Sequence, residues 1–312
     1  MHPLEFYSGK TPDTKFKLPD SKIRRGIVSA GCSFTWGQGL YYYYNLPTIM
    51  EPPPNHFHRH LINDAHLRAM ESLRYPRLLA NKLNTFEVVH PNNGGAEFNI
   101  IDYWERVFNP HNHRYFTNYD VSHRPMQGDS MYAISEPNYD FDEFAYITYQ
   151  FTMPSRTKYV LKYQDGTVKE VTLHQHGMDE ENLEYITSYL LENNITYEEL
   201  LQRHCINVVN MVKSFLQKFE QRGVKARILS WPKENVPHIM NDEWMRDRFV
   251  TFHYNEKNYT SLEHLMEENN EMKIDSDPFF SIGPGDHHAS KKCHELIAES
   301  LVTTMDINWI HR

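Results

Sequence analysis

A serine becomes a nucleophile only where a base can take its proton and donors can hold the negative charge its attack creates. Ser33 stands at a place suited to that chemistry, in the stretch Ile27-Val28-Ser29-Ala30-Gly31-Cys32-Ser33-Phe34-Thr35-Trp36-Gly37. A short apolar run ends at Gly31, and the pattern predicts a strand, a tight turn and the first turn of a helix. At such a junction the free N–H groups of the helix start favour a developing oxyanion. The G-x-S-x-G elbow is absent, because Thr35 takes its last position. A serine here could equally be a plain helix cap. The base must come from elsewhere, and Gly285-Asp286-His287-His288-Ala289-Ser290 supplies candidates just before the last predicted helix. Either histidine could accept the serine proton, with Asp286 orienting the ring. The bland alternative is that Asp286 caps the helix and both histidines are solvated.

The elements that carry these residues follow from periodicity. Residues 1–21 are polar and read as an arm. A first strand is expected over about 23–30, a helix over Tyr75–Leu83, and a short strand over Glu87–His90. Asn92-Asn93-Gly94-Gly95 breaks that strand, and helical spacing returns from Phe98 to Phe108. Phe144–Phe151 is a third strand, and Asp165-Gly166 turns a hairpin between Tyr159 and Leu173. Thr196 opens a long helix, with Val208, Val212, Phe215 and Phe219 on its apolar side, which Gly223 stops. Ala226–Trp231 is a fourth strand and Ser290–Met305 a final helix. Alternating strands and helices predict an α/β fold: a three-layer α/β/α sandwich around a mostly parallel central sheet. One domain, 22–312, is expected, with insertions at about 41–70, 109–141 and 157–195.

Composition excludes several classes. The net charge of −9, with no strong basic run, argues against nucleic acid as a partner. Cys32, Cys205 and Cys293 lack metal spacing and are odd in number, which favours a reducing compartment. No stretch approaches a membrane span, and the N-terminus lacks a signal-peptide pattern, so a cytoplasmic protein is expected. A rival metal site would use His56, His58, His60, Asp64 and His66, in a proline-rich loop that reads more simply as solvated surface. No phosphate loop and no dinucleotide fingerprint occurs.

Four blocks, in order along the chain, resemble the SGNH (GDSL-like) hydrolases, most closely the variants encoded by tailed bacteriophages. Gly31-Cys32-Ser33 is similar to the family's G-D-S block, with cysteine in place of aspartate. Asn92-Asn93-Gly94-Gly95-Ala96 resembles the block whose glycine N–H serves the oxyanion, Gly95 being the first choice and Gly94 the second. Gln150-Phe151-Thr152-Met153-Pro154-Ser155-Arg156 resembles the third, G-x-N-D, block, with Thr152 where asparagine is expected. His288-Ala289-Ser290 fits the histidine end of the last block, which selects His288 over His287 and leaves a contracted D-x-H spacing from Asp286.

The resemblance implies a serine esterase or deacylase that needs no cofactor and no metal. It implies Ser33 as nucleophile, His288 as base and Asp286 as its orienting acid. Ser33 N–H, Gly95 and Thr152 would form the oxyanion hole, and Gln150 and Arg156 would contact substrate. The implied substrate is a small-molecule or carbohydrate ester, such as an O-acetylated sugar. The competing class is a non-catalytic binding or structural protein of the same fold, associated with a virion. A fluorophosphonate, which labels only an activated serine, separates the two.

Overall fold

The computed structural model of the chain describes residues 25–37, 40, 70–89, 96–108, 139–174, 177–178, 182–269, 280–283 and 286–311. Its centre is a sheet of four parallel strands: β1 (Gly26–Ala30), β2 (Glu87–Val89), β3 (Phe144–Phe151) and β4 (Lys225–Ser230), in the order β2-β1-β3-β4. β1, β2 and β3 are buried at every position, as parallel strands covered on both faces must be. A parallel bridge from Ile228 to Phe249 extends the sheet beyond β4, with Ile228 N–H donating to Arg248 O and Val250 N–H to Ile228 O, both at 2.9 Å. The chain builds first to one side of β1 and then, from β3 onward, to the other. That reversal sets the topological switch point between β1 and β3, whose C-terminal ends are the usual ligand position in open α/β sheets.

The helices that position the sheet, the site and the hairpin beside them are α1 (Ser33–Trp36), α2 (Tyr75–Lys82), α3 (Glu97–Val107), α4 (Leu183–Asn193), α5 (Tyr197–Gln221), α6 (Val236–Asn241) and α7 (Lys291–Val302). On one face Val28, Ala30, Ile147, Tyr149 and Phe151 pack with Trp104 of α3 and with Val208, Val212 and Phe215 of α5. On the other, Ile27, Tyr146 and Leu229 meet Tyr75 and Leu79 of α2 and Ile297 and Leu301 of α7. The result is the α/β/α layering that the alternation predicts.

Local chemistry sets the element ends. Thr196 and Glu199 form a reciprocal capping box at the start of α5, with N–H to side-chain oxygen distances of 3.1 and 2.8 Å. Ser290 caps α7 through a 3.3 Å bond from Cys293 N–H. At the sheet edge, the buried side chains of Glu71 and Glu87 accept from Arg77 at 2.8 Å each, which ties α2 to β2.

The hairpin expected around Asp165-Gly166 is present as Tyr159–Lys162 paired with Val168–Val171. Its Leu161 and Val171 form a satellite core with Ile186 of α4 and Leu200 of α5. Several features lack a counterpart in the sequence reading: the helices α4 and α6, a hairpin of Phe252–Tyr254 with Lys257–Tyr259, a helix over Leu262–Asn269, and an antiparallel pair of β5 (Ser281–Gly283) and β6 (Asp286–Ala289). The last pair changes how the histidine block is carried: it lies on a strand that leads into α7. The expected arm at 1–21 and nearly all of the expected insertions at about 41–70 and 109–141 fall outside the described residues.

Candidate active site

The nucleophile candidate is placed by strand register. Ala30 of β1 lies beside Tyr149 of β3, so the turn after β1 runs along the end of β3. A Cβ on Gly31 would stand 2.1 Å from Thr35 Oγ1 and 3.1 Å from Gln150 Cβ, so only a bare backbone passes here. Ser33 then opens α1, a single turn that ends at Gly37 with φ +87, a left-handed conformation that suits glycine. Beneath the turn Tyr75 Oη donates to Thr35 Oγ1 at 3.3 Å, and Thr35 Oγ1 donates to Gln150 Oε1 at 3.1 Å. Gly31→Ala is expected to push Thr35 off Gln150 and to cost about 1–3 kcal/mol, the usual range for overpacking. Chemical denaturation would measure it, and an unchanged midpoint would contradict the close approach.

β6 delivers the candidate base. His288 Nε2 lies 3.0 Å from Ser33 Oγ, hydrogen-bonding distance for transfer of the serine proton. The imidazole is also held by its face. It stacks on Phe34, with centroids 4.8 Å apart, and Phe34 stacks on Trp231 at 3.6 Å. Trp231 follows β4 directly, so this column of three rings ties the histidine to the sheet. Ser290 N–H donates to Phe280 O at 2.8 Å and fixes the chain just beyond His288.

The end of β3 supplies a third group. Thr152 is 1% exposed, and both of its backbone groups are taken by buried side chains. Its N–H donates to Glu97 Oε1 at 2.7 Å, and its carbonyl accepts from Asn235 Nδ2 at 3.1 Å. Its hydroxyl has no hydrogen-bond partner among the described residues, nor has the buried Gln150 Nε2. Two buried donors at the end of β3 with no partner among the described residues are costly unless a ligand uses them.

The electrostatics around Ser33 are unusual. Glu97, the first residue of α3, is fully buried, which pushes its carboxyl up to about 8 despite bonds from Thr152 N–H and Tyr149 Oη and the nearby charge of Arg156. Burial likewise raises the Cys32 thiol, against the pull of Arg156. Cys32 is thus an inert neighbour of Ser33. Arg156 itself is exposed and forms no ion pair among the described residues, although both Cys32 and Glu97 feel its charge.

On the other face of the sheet, His294 of α7 accepts from Tyr75 N–H at Nδ1, 3.0 Å, and burial, with Arg74 and His288 adding to it, lowers its pKa to about 3. These two shifts act on stability with opposite signs. Glu97 rises from 4.5 to about 8, so its contribution is complete below 4.5 and is lost as pH climbs to 8. His294 falls from 6.5 to about 3, so its contribution is complete above 6.5 and is lost as pH drops to 3. Maximal stability is therefore expected between about pH 4.5 and 6.5, where the two slopes cancel. Melting temperatures across pH 3–9 measure this, and Glu97→Gln should flatten the alkaline side.

The structure brings Ser33 and His288 together and bonds Gln150 to the Ser33 turn through Thr35, with Thr152 just past the end of the same strand and Arg156 exposed, its charge felt at Cys32. Gly94, Gly95 and the histidine cluster at 56–66 lie outside the described residues, as do the side chains of Asp286 and His287. Among the described residues no group of three acids, histidines or cysteines could hold a metal ion, and no helix is long and apolar enough to cross a membrane. Phe34, Trp231, Glu97 and Asn235 are site members that the sequence reading missed. No family model, no curated protein and no solved structure matches the chain.

Proposed function

We propose that this chain is a serine esterase or deacylase of SGNH type. The observation that carries the reading is the 3.0 Å contact between Ser33 Oγ and His288 Nε2 at the switch point of a parallel sheet. His288 removes the serine proton as Ser33 attacks the acyl carbon, and returns it to the departing alcohol. A water activated by the same imidazole then releases the acyl group from Ser33. The negative oxygen formed in each half is held by Ser33 N–H, the Thr152 hydroxyl and, by the family resemblance, Gly95. Asp286, two residues before His288 on β6, is the orienting acid in this scheme. The chemistry needs no cofactor.

An acyl ester of a small molecule or carbohydrate is the substrate class we assign, with Gln150 and Arg156 contacting it. The carbohydrate part rests on the resemblance alone. To test the reading, the protein is treated with a fluorophosphonate and digested. A covalent adduct on the peptide containing Ser33, together with turnover of p-nitrophenyl acetate, is the expected result. No adduct and no turnover would overturn it in favour of a non-catalytic, virion-associated protein of the same fold.

A further inference from the structure

Glu97 is a buried titratable group that the mechanism above does not use. It opens α3, is 0% exposed, and is bonded to the backbone of Thr152 at 2.7 Å. Its own N–H donates to Thr157 Oγ1 at 3.1 Å, which ties the start of α3 to the segment after β3. Its charge is also felt at Cys32, the residue before Ser33. Glu97 is therefore bonded to the residue after β3 and close enough to the turn after β1 for its charge to be felt there. From this geometry we propose that Glu97 is a positioning residue that must carry its proton for turnover: it holds Thr152 while neutral, and once ionised it opposes the oxyanion. The inference rests on the esterase reading and adds a regulation to that same site.

The physical argument has two parts. A neutral carboxylic acid still accepts from the Thr152 N–H through its carbonyl oxygen, so protonation keeps the Thr152 backbone in place. An ionised carboxylate at the same point puts a full negative charge beside a reaction that itself makes one, in a site where burial weakens screening. The groups that face Glu97 leave it as the one that changes. Tyr149 on β3 and Cys32 in the β1–α1 turn are both pushed upward by burial and stay neutral. His204 of α5, whose Nε2 bonds Pro154 O beside Arg156, is lowered by burial and is neutral above pH 6.5. Arg156 adds a fixed positive charge. Burial places the Glu97 carboxyl at about 8, which falls inside the working range of an esterase assay.

The test follows the rate of fluorophosphonate labelling at Ser33 from pH 6 to 10 in the parent, Glu97→Gln and Tyr149→Phe, with melting curves at each pH. In the parent the rate should fall about tenfold for each pH unit above roughly 8, since only the protonated form reacts. Glu97→Gln, which keeps an acceptor for Thr152 N–H but cannot ionise, should hold its rate to pH 10. Tyr149→Phe removes a bond that favours the ionised carboxylate, so its fall should begin at higher pH than in the parent. This second variant keeps the test decisive where Glu97→Gln melts early. If the fall stays at the parent's pH in the folded variants, this proposal is overturned while the esterase reading stands. If the parent shows no labelling at any pH, both are overturned.

Discussion

Ser33→Ala should abolish fluorophosphonate labelling and lower ester turnover on the order of 10⁶-fold, and His288→Ala should do nearly the same. The two losses should not add, because the 3.0 Å pair acts as a unit: without its base the serine keeps its proton, and without the serine the base has nothing to activate. Neither variant should unfold the chain. Ser33 contributes no apolar side chain to the two main cores, and removing the His288 ring leaves Phe34 still stacked on Trp231. The double variant distinguishes a joint role from two separate ones. A double loss equal to the product of the singles, or an adduct that persists in Ser33→Ala, would remove the pair from the mechanism. Asp286→Asn should lower turnover by about 10⁴-fold with folding retained, through misoriented imidazole.

The second large effect is expected at Thr152. Thr152→Val keeps the shape and the two backbone bonds to Glu97 and Asn235 but deletes the unpartnered hydroxyl. If that hydroxyl donates to the oxyanion, its loss costs about 2.7–4 kcal/mol of transition-state stabilisation, a hundred- to thousandfold in kcat. KM should move little, because the charge develops only during attack. Stability should hold or rise, since a buried polar atom without a partner disappears. This combination separates a catalytic donor from a structural threonine, whose removal would lower stability and leave kcat alone. A kcat within twofold of the parent would assign the oxyanion to backbone donors or to Gln150 Nε2.

Much of this arrangement was legible from residue order because the physics involved is local. Phe144–Phe151 is a mainly apolar and aromatic run, interrupted only by Thr148 and Gln150, and it is a strand over those bounds. Thr196, Glu199 and Gly223 mark the ends of α5 through capping bonds and a left-handed stop, which depend on neighbours in sequence. Ser33 and His288 were legible by type and by their placement at element junctions.

Other features were hidden because their meaning comes from distant partners. Glu97 in a first helical turn reads as an exposed acid complementing the helix dipole. Nothing near it in sequence says that Tyr149 and Thr152 will enclose it. Phe34 and Trp231 read as core residues, and only the fold sets them in a column with His288. The Phe252–Tyr259 hairpin escaped for a local reason instead. Asn255 and Glu256 both adopt positive φ, 49 and 63, a turn usually signalled by Asn-Gly, and glutamate hides it.

The separation between Ser33 and His288, 255 positions along the chain, has a consequence during synthesis. A ribosome adding about 5–20 residues per second needs roughly 13–50 s to travel from one to the other. By the end of that interval β1 to β4 and the helices α2, α3 and α5 can assemble, yet the serine has no base. If Ser33 is the nucleophile proposed above, the nascent protein is silent toward esters until β6 and α7 emerge and dock. Activity should therefore appear as the last event of folding, later than the burial of tryptophan. Stopped-flow refolding should show a lag between the two signals, set by the arrival of the His288 strand on an already formed sheet.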